Sequence, residues 1–115
     1  MKKIVLLFII LSFGAFTAYA QSNPTIYIVN DTGYTFYFLM IKPSTEGRWS
    51  LDILGDELLE DGQAFSYQLP YPLSRVSVYD FKAEDDEKDL YFKYKVRVVD
   101  SAEIVFTLDD LDWYE

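Results

Sequence analysis

Beyond residue 20 the chain follows a two-residue alternation broken at short intervals by turn formers, and that period commits it to β-structure. "TIYIVN" sets Ile26 and Ile28 on one face and Thr25, Tyr27 and Val29 on the other. "YTFYFLMI" opposes Tyr34, Phe36, Phe38 and Met40 to Thr35, Tyr37, Leu39 and Ile41, so both of its faces are apolar. Such a strand sits in the middle of a sheet, or it shows aromatics to a partner. Between the two, "NDTG" at residues 30–33 is expected to be a hairpin turn with Gly33 at positive φ.

"AFSYQLP" alternates Phe65, Tyr67 and Leu69 with Ala64, Ser66 and Gln68, and stops at Pro70, which has no N–H for a ladder. "RVSVYDF" and "DLYFKYKVRVV" read as the next two strands. In the second, Leu90, Phe92, Tyr94, Val96 and Val98 are expected inward and Tyr91, Lys93, Lys95 and Arg97 outward, where a basic row discourages edge-to-edge aggregation. After a turn at Asp100 and Ser101, "AEIVFTL" directs Ile104, Phe106 and Leu108 inward. The connection between the second and third strands, about 20 residues, is too long to be structureless in a small domain. Its Trp49, Leu51, Ile53, Leu54, Leu58 and Leu59 are expected to fold under one open end as a plug with a short helical turn. The expected fold is all-β: a small antiparallel β-sandwich of six to seven strands.

The first 20 residues have a different character. "MKK" is a basic n-region, "IVLLFIILSFGAF" an apolar h-region and "TAYA" a small-residue cleavage segment, the order of a secretory signal peptide. The apolar run falls short of the ~20 residues that span a bilayer, so no retained membrane span is expected. The chain has no cysteine for a lipid anchor after the h-region. Residues 1–20 are therefore read as a signal peptide and residues 21–115 as a single domain, exported to the periplasm or beyond the cell.

Without Lys2 and Lys3, eight of the ten basic residues remain against nineteen acidic ones, a formal charge of −11 for the exported domain. That balance disfavours nucleic acid and anionic lipid and leaves calcium, cationic peptides and basic proteins as partners. With no cysteine the fold has no disulfides; of the chain's ten Tyr, nine Phe and two Trp, nine Tyr, six Phe and both Trp lie beyond residue 20 and must supply a sufficient core.

"AEDDEKDLY", from Ala83 to Tyr91, concentrates acids beside aromatics. Asp85, Asp86 and Asp89 are the candidate ligands of a weak calcium site; the competing reading is a solvated hairpin tip. An EF-hand is excluded: counted from Asp85 the sixth residue is Leu90 and the twelfth Val96, where glycine and glutamate are required. In strands that alternate up and down, the second-to-third connection, the fourth-to-fifth connection and the C-terminal tail share one end. That end would gather most of the acids, from Glu46 and Asp52 through Glu84, Asp85, Asp86 and Glu87 to Asp112 and Glu115. Carboxylates held together there attract cations.

"NDTGYTFYFLMIKPS", Trp49, "DILG" at residues 52–55, "DGQ" at 61–63, "YDF" at 79–81 and "DDEKDLY" at 85–91 together resemble a recurrent family of small exported bacterial β-sandwich domains whose function is not established. The resemblance covers most of the exported part and implies fold and export. Family members tend to carry Asp-x-Asp-Gly-Asp-x-Tyr where this chain has Asp85 to Tyr91, with Lys88 in place of the glycine, a departure that weakens a metal analogy.

With no histidine and no cysteine, a Ser-His-Asp triad, a cysteine nucleophile and an ordinary zinc site are all excluded. A carboxylate pair needs a cleft that a domain this small has little room for, so no catalysis and no cofactor is expected. The expected function is a non-catalytic binding or surface-interaction module; the alternative is a structural envelope protein with a weak calcium site at its acidic end. Exposed aromatics on residues 34–41 or in "DWYE" favour the first. N-terminal sequencing of protein from the native host is expected to begin at Gln21; a retained Met1 refutes the signal peptide.

Overall fold

The computed structural model describes residues 22–113, so the proposed signal peptide lies outside the described residues. Six strands form within them: β1 (Thr25–Asp31), β2 (Phe36–Pro43), β3 (Ala64–Gln68), β4 (Val78–Asp85), β5 (Leu90–Arg97) and β6 (Glu103–Thr107). They make two three-stranded sheets, β3-β1-β6 and β2-β4-β5, the arrangement of a β-sandwich. No helix among the described residues is long and apolar enough to cross a membrane.

The two-residue alternation holds where strands are regular, and Ile104 and Phe106 point inward as expected. Ile26 and Ile28 of β1, Ile104 and Phe106 of β6, and Phe81 and Ala83 of β4 are all buried in one core. Phe36 meets Phe106 edge-to-face, with ring centroids 5.4 Å apart, and so joins the two sheets.

Six expectations are corrected. Residues 30–33 are not a hairpin turn, because β1 and β2 belong to different sheets. The buried Asn30 side chain donates to the carbonyls of Tyr34 and Leu59 and accepts from the Thr32 amide and hydroxyl, clasping a sheet-to-sheet crossover. Gly33 does adopt positive φ there, +88°. The sheets are also not wholly antiparallel, since β6 pairs with β1 in parallel.

Next, β2 lies at an edge of its sheet, not in the middle. An irregularity between Phe36 and Phe38 switches its phase, so that Phe36, Leu39 and Ile41 point inward while Tyr37 and Phe38 are exposed. The long connection runs back along the free edge of β2 and satisfies it: Asp52 accepts from the Leu39 amide, Ser50 from the Ile41 amide, and Phe36 and Leu59 exchange both backbone bonds. Only Leu54 and Leu59 of that segment are buried; Leu51 and Leu58 are exposed, and the helical turn is a single bend over residues 53–56. An unpaired edge is a template for aggregation, and the segment removes it.

Finally, the first half of β5 is inverted. Tyr91 is fully buried and Lys93 half-buried, whereas Tyr94 is exposed. The phase recovers at a bulge where Tyr79 pairs with Val96 but Phe81 pairs with Lys93. Beyond it Val98 is buried, as expected. Lys95 sits in the bulge at φ +55°, and its amide donates to the Asp80 carboxylate at 2.8 Å. Leu108, expected inward, is exposed because the chain enters a 3₁₀ turn, Leu108–Asp110.

Asp80 itself is buried and also accepts from Lys42 Nζ at 2.9 Å and Ser44 Oγ at 2.7 Å. Burial raises its pKa, but the bonds from the Lys95 amide, Ser44 and Lys42, with the Lys42 charge, outweigh burial and hold the carboxyl below its ordinary range. A depressed folded-state pKa stabilises above the unfolded value of about 3.9 and is lost as pH falls through the folded value. Denaturant titrations are therefore expected to show an acid loss of stability below about pH 4 that shrinks in Asp80→Asn. Asp80→Ala, which strands Lys42 and the bulge amide, is expected to cost roughly 3 kcal/mol at neutral pH.

Candidate functional site

The β4–β5 turn answers what the acidic run does. Asp85, the last residue of β4, is buried, and its Oδ1 accepts from the amides of Glu87 at 2.9 Å and Asp89 at 3.0 Å. Its Oδ2 accepts from the Tyr91 hydroxyl at 2.8 Å. Burial, then the hydrogen bond and charge of Asp85, push the Tyr91 phenol well above its ordinary range, so it stays protonated and donates. Lys88 takes the left-handed conformation at φ +68° that closes the turn. The run is thus an internally stapled hairpin tip.

Of the three candidate calcium ligands, Asp85 faces inward with both oxygens engaged, Asp86 is exposed and Asp89 is half-buried. Among the described residues no three Asp or Glu side chains converge as a metal-holding group.

The expected acidic end forms in part. The Asp86 amide donates to Thr35, the Asp61 carboxylate accepts from the Gly33 amide, and the Asp112 amide donates to Leu90, so the hairpin tip, residues 59–62 and the C-terminal segment meet at one end. Glu46 and Asp52 do not join them. The connection starts at the opposite end, beside Pro43, and travels the length of β2, so strand parity misplaces its first half.

Where the C-terminal segment crosses β5, a cavity of about 230 Å³ opens between the Phe92 and Tyr94 side chains and residues 109–112. Phe92 and Tyr94, two apart on the outer face, stack with centroids 5.5 Å apart and planes 6° from parallel. Trp49 extends the row at 6.3 Å from Phe92, held between Lys42 and Lys82, each about 5 Å from its ring. On the other wall, the Thr107 side chain accepts from the Asp109 amide and the Asp110 carboxylate from the Thr107 amide, a reciprocal cap that fixes the acids. Lys93 offsets Asp110 in part at 3.3 Å, while Asp109 is exposed. A stacked aromatic wall facing aspartates is suited to a cation: the ring faces carry negative charge density and the carboxylates add full charge.

Reading the sequence misses this site, because Phe92 and Tyr94 are expected inward. The one sequence signal for it is "FKYK" itself, whose alternation allows either face. Comparison of the chain with protein-family models, curated proteins and solved structures gives no match.

Asp85→Ala, which orphans two turn amides and a buried hydroxyl, is expected to cost about 2 to 3 kcal/mol, and Tyr91→Phe about 1 to 2 kcal/mol. Urea denaturation of both variants and the double mutant checks this. Additivity of the two losses means that the side chains are not coupled.

Proposed function

We propose that the chain is an exported, non-catalytic binding module that docks a basic protein partner. The observation that carries the reading is the stacked pair Phe92 and Tyr94 lining one cavity with the exposed Asp109, while Asp110 is already engaged by Lys93 and the Thr107 amide, a setting for one lysine or arginine side chain. The exposed Tyr37, Phe38, Asp86 and Glu87 at the same end extend it into an aromatic and acidic surface. Aromatic anchors supply affinity at protein interfaces, and the formal charge of −11 steers a basic partner toward the domain while repelling nucleic acid and anionic membrane. The absence of His and Cys supports a role in binding over catalysis.

Titration of the domain with a fluorescent arginine- and lysine-rich peptide is expected to give saturable binding that weakens with salt, and an acidic peptide none. A cation–π contact at a partly exposed site contributes about 1 kcal/mol, so Tyr94→Ala is expected to weaken binding about fivefold. Asp109→Asn acts in the same direction. Binding that ignores both substitutions yet falls in Glu57→Gln reflects diffuse charge and refutes docking at this pocket.

A further inference from the structure

At the opposite end of the sandwich a second cavity, about 170 Å³, is lined by Pro43, Glu46, Arg48, Tyr67, Tyr71 and Tyr79, among others. Tyr79 is fully buried, and its hydroxyl is a buried polar atom with no hydrogen-bond partner. Such groups are rare and unfavourable for folding, and a phenylalanine would serve the core better. The phenol remains a donor at any physiological pH: burial first, then Tyr71, Tyr67 and Glu46, push its pKa up to about 12.

We propose that this cavity receives a single sugar ring. Ligand pockets for drug-sized molecules start at about 300 Å³, so this one suits one ring and not two. Its walls are phenol and proline rings, and the C–H faces of a pyranose carry the slight positive charge that packs on the negative faces of aromatic rings. Polar groups of both signs line it. Arg48 donates, Glu46 accepts, the Tyr79 hydroxyl does either, and Lys42 is already engaged by Asp80. A neutral polyol uses donors and acceptors together, whereas a carboxylate meets Glu46 and an ammonium meets Arg48. Arg75 stacks over Tyr71 at 4.4 Å and holds that wall. The Tyr79 hydroxyl is closed to solvent as it stands, so the exposed lining residues Glu46 and Arg48 must move aside for the ring to reach it.

The test is a titration of the isotopically labelled domain, followed by amide and tyrosine NMR signals, with methyl glucoside, methyl mannoside and N-acetylglucosamine. At least one is expected to shift Tyr67, Tyr71, Tyr79 and Arg48 with millimolar affinity. Tyr79→Phe is expected to bind about tenfold more weakly, the loss of one buried hydrogen bond, while melting at the same temperature or higher. Asp109→Asn, at the other end, is expected to bind sugar unchanged, which separates this site from the basic-partner pocket. No shift with any of the three sugars overturns the proposal. So does a Tyr79→Phe variant that binds like the wild type, or one that melts lower, since its hydroxyl then has a structural partner.

Discussion

The Asp80 carboxylate joins three parts of the structure that local sequence leaves independent. Through Lys42 it ties β4 to the edge strand β2, through Ser44 it holds the start of the long connection, and through the Lys95 amide it stabilises the β5 bulge. The bulge is the decisive consequence. It lets Tyr91 and Lys93 face the core side while Val98 also points inward, and so turns Phe92 and Tyr94 outward as a stacked pair. Burying a carboxylate is unfavourable by itself, and here it is tolerated because one cation and two further donors meet it.

The same logic of buried polar groups with complete partners governs the rest of the frame. Asn30 clasps the crossover between sheets, Asp52 and Ser50 satisfy the free edge of β2, and Asp85 staples the tip of the β4–β5 hairpin. A small domain without disulfides has limited apolar area to bury, and these side chain to backbone bonds hold its loops where packing alone leaves them free. Acids that look like solvated loop charge in the sequence thus divide into two classes. Asp80 and Asp85 are internal fasteners, while Asp86, Glu87 and Asp109 remain on the surface.

That division gives the two ends different chemistry. One collects the hairpin tip, residues 59–62 and the C-terminal segment around aromatic side chains. The other carries three tyrosines with Arg48, Glu46 and two prolines around an orphaned hydroxyl. Tyr79 breaks the pattern of complete satisfaction seen at Asn30, Asp80 and Asp85, and the break is why its cavity stands apart.

The sequence by itself determined that the chain is all-β, which residues of β1 and β3 share a face, that Ile104 and Phe106 of β6 point inward, and that the chain is strongly acidic. Those features are local: the alternation of Ile26 with Ile28, Phe65 with Tyr67 and Ile104 with Phe106 follows from the strand period, and charge follows from counting. Only the tertiary structure decided that β1 and β2 part into different sheets, that β6 runs parallel to β1, and that β2 is an edge. Chain reversal, register and neighbour choice depend on contacts between residues far apart in sequence. Tyr91 and Phe92 show the limit most sharply, since either could face inward on periodicity alone. The choice is made by an amide at Lys95 reaching a carboxylate 15 positions away, an interaction with no trace in the local pattern.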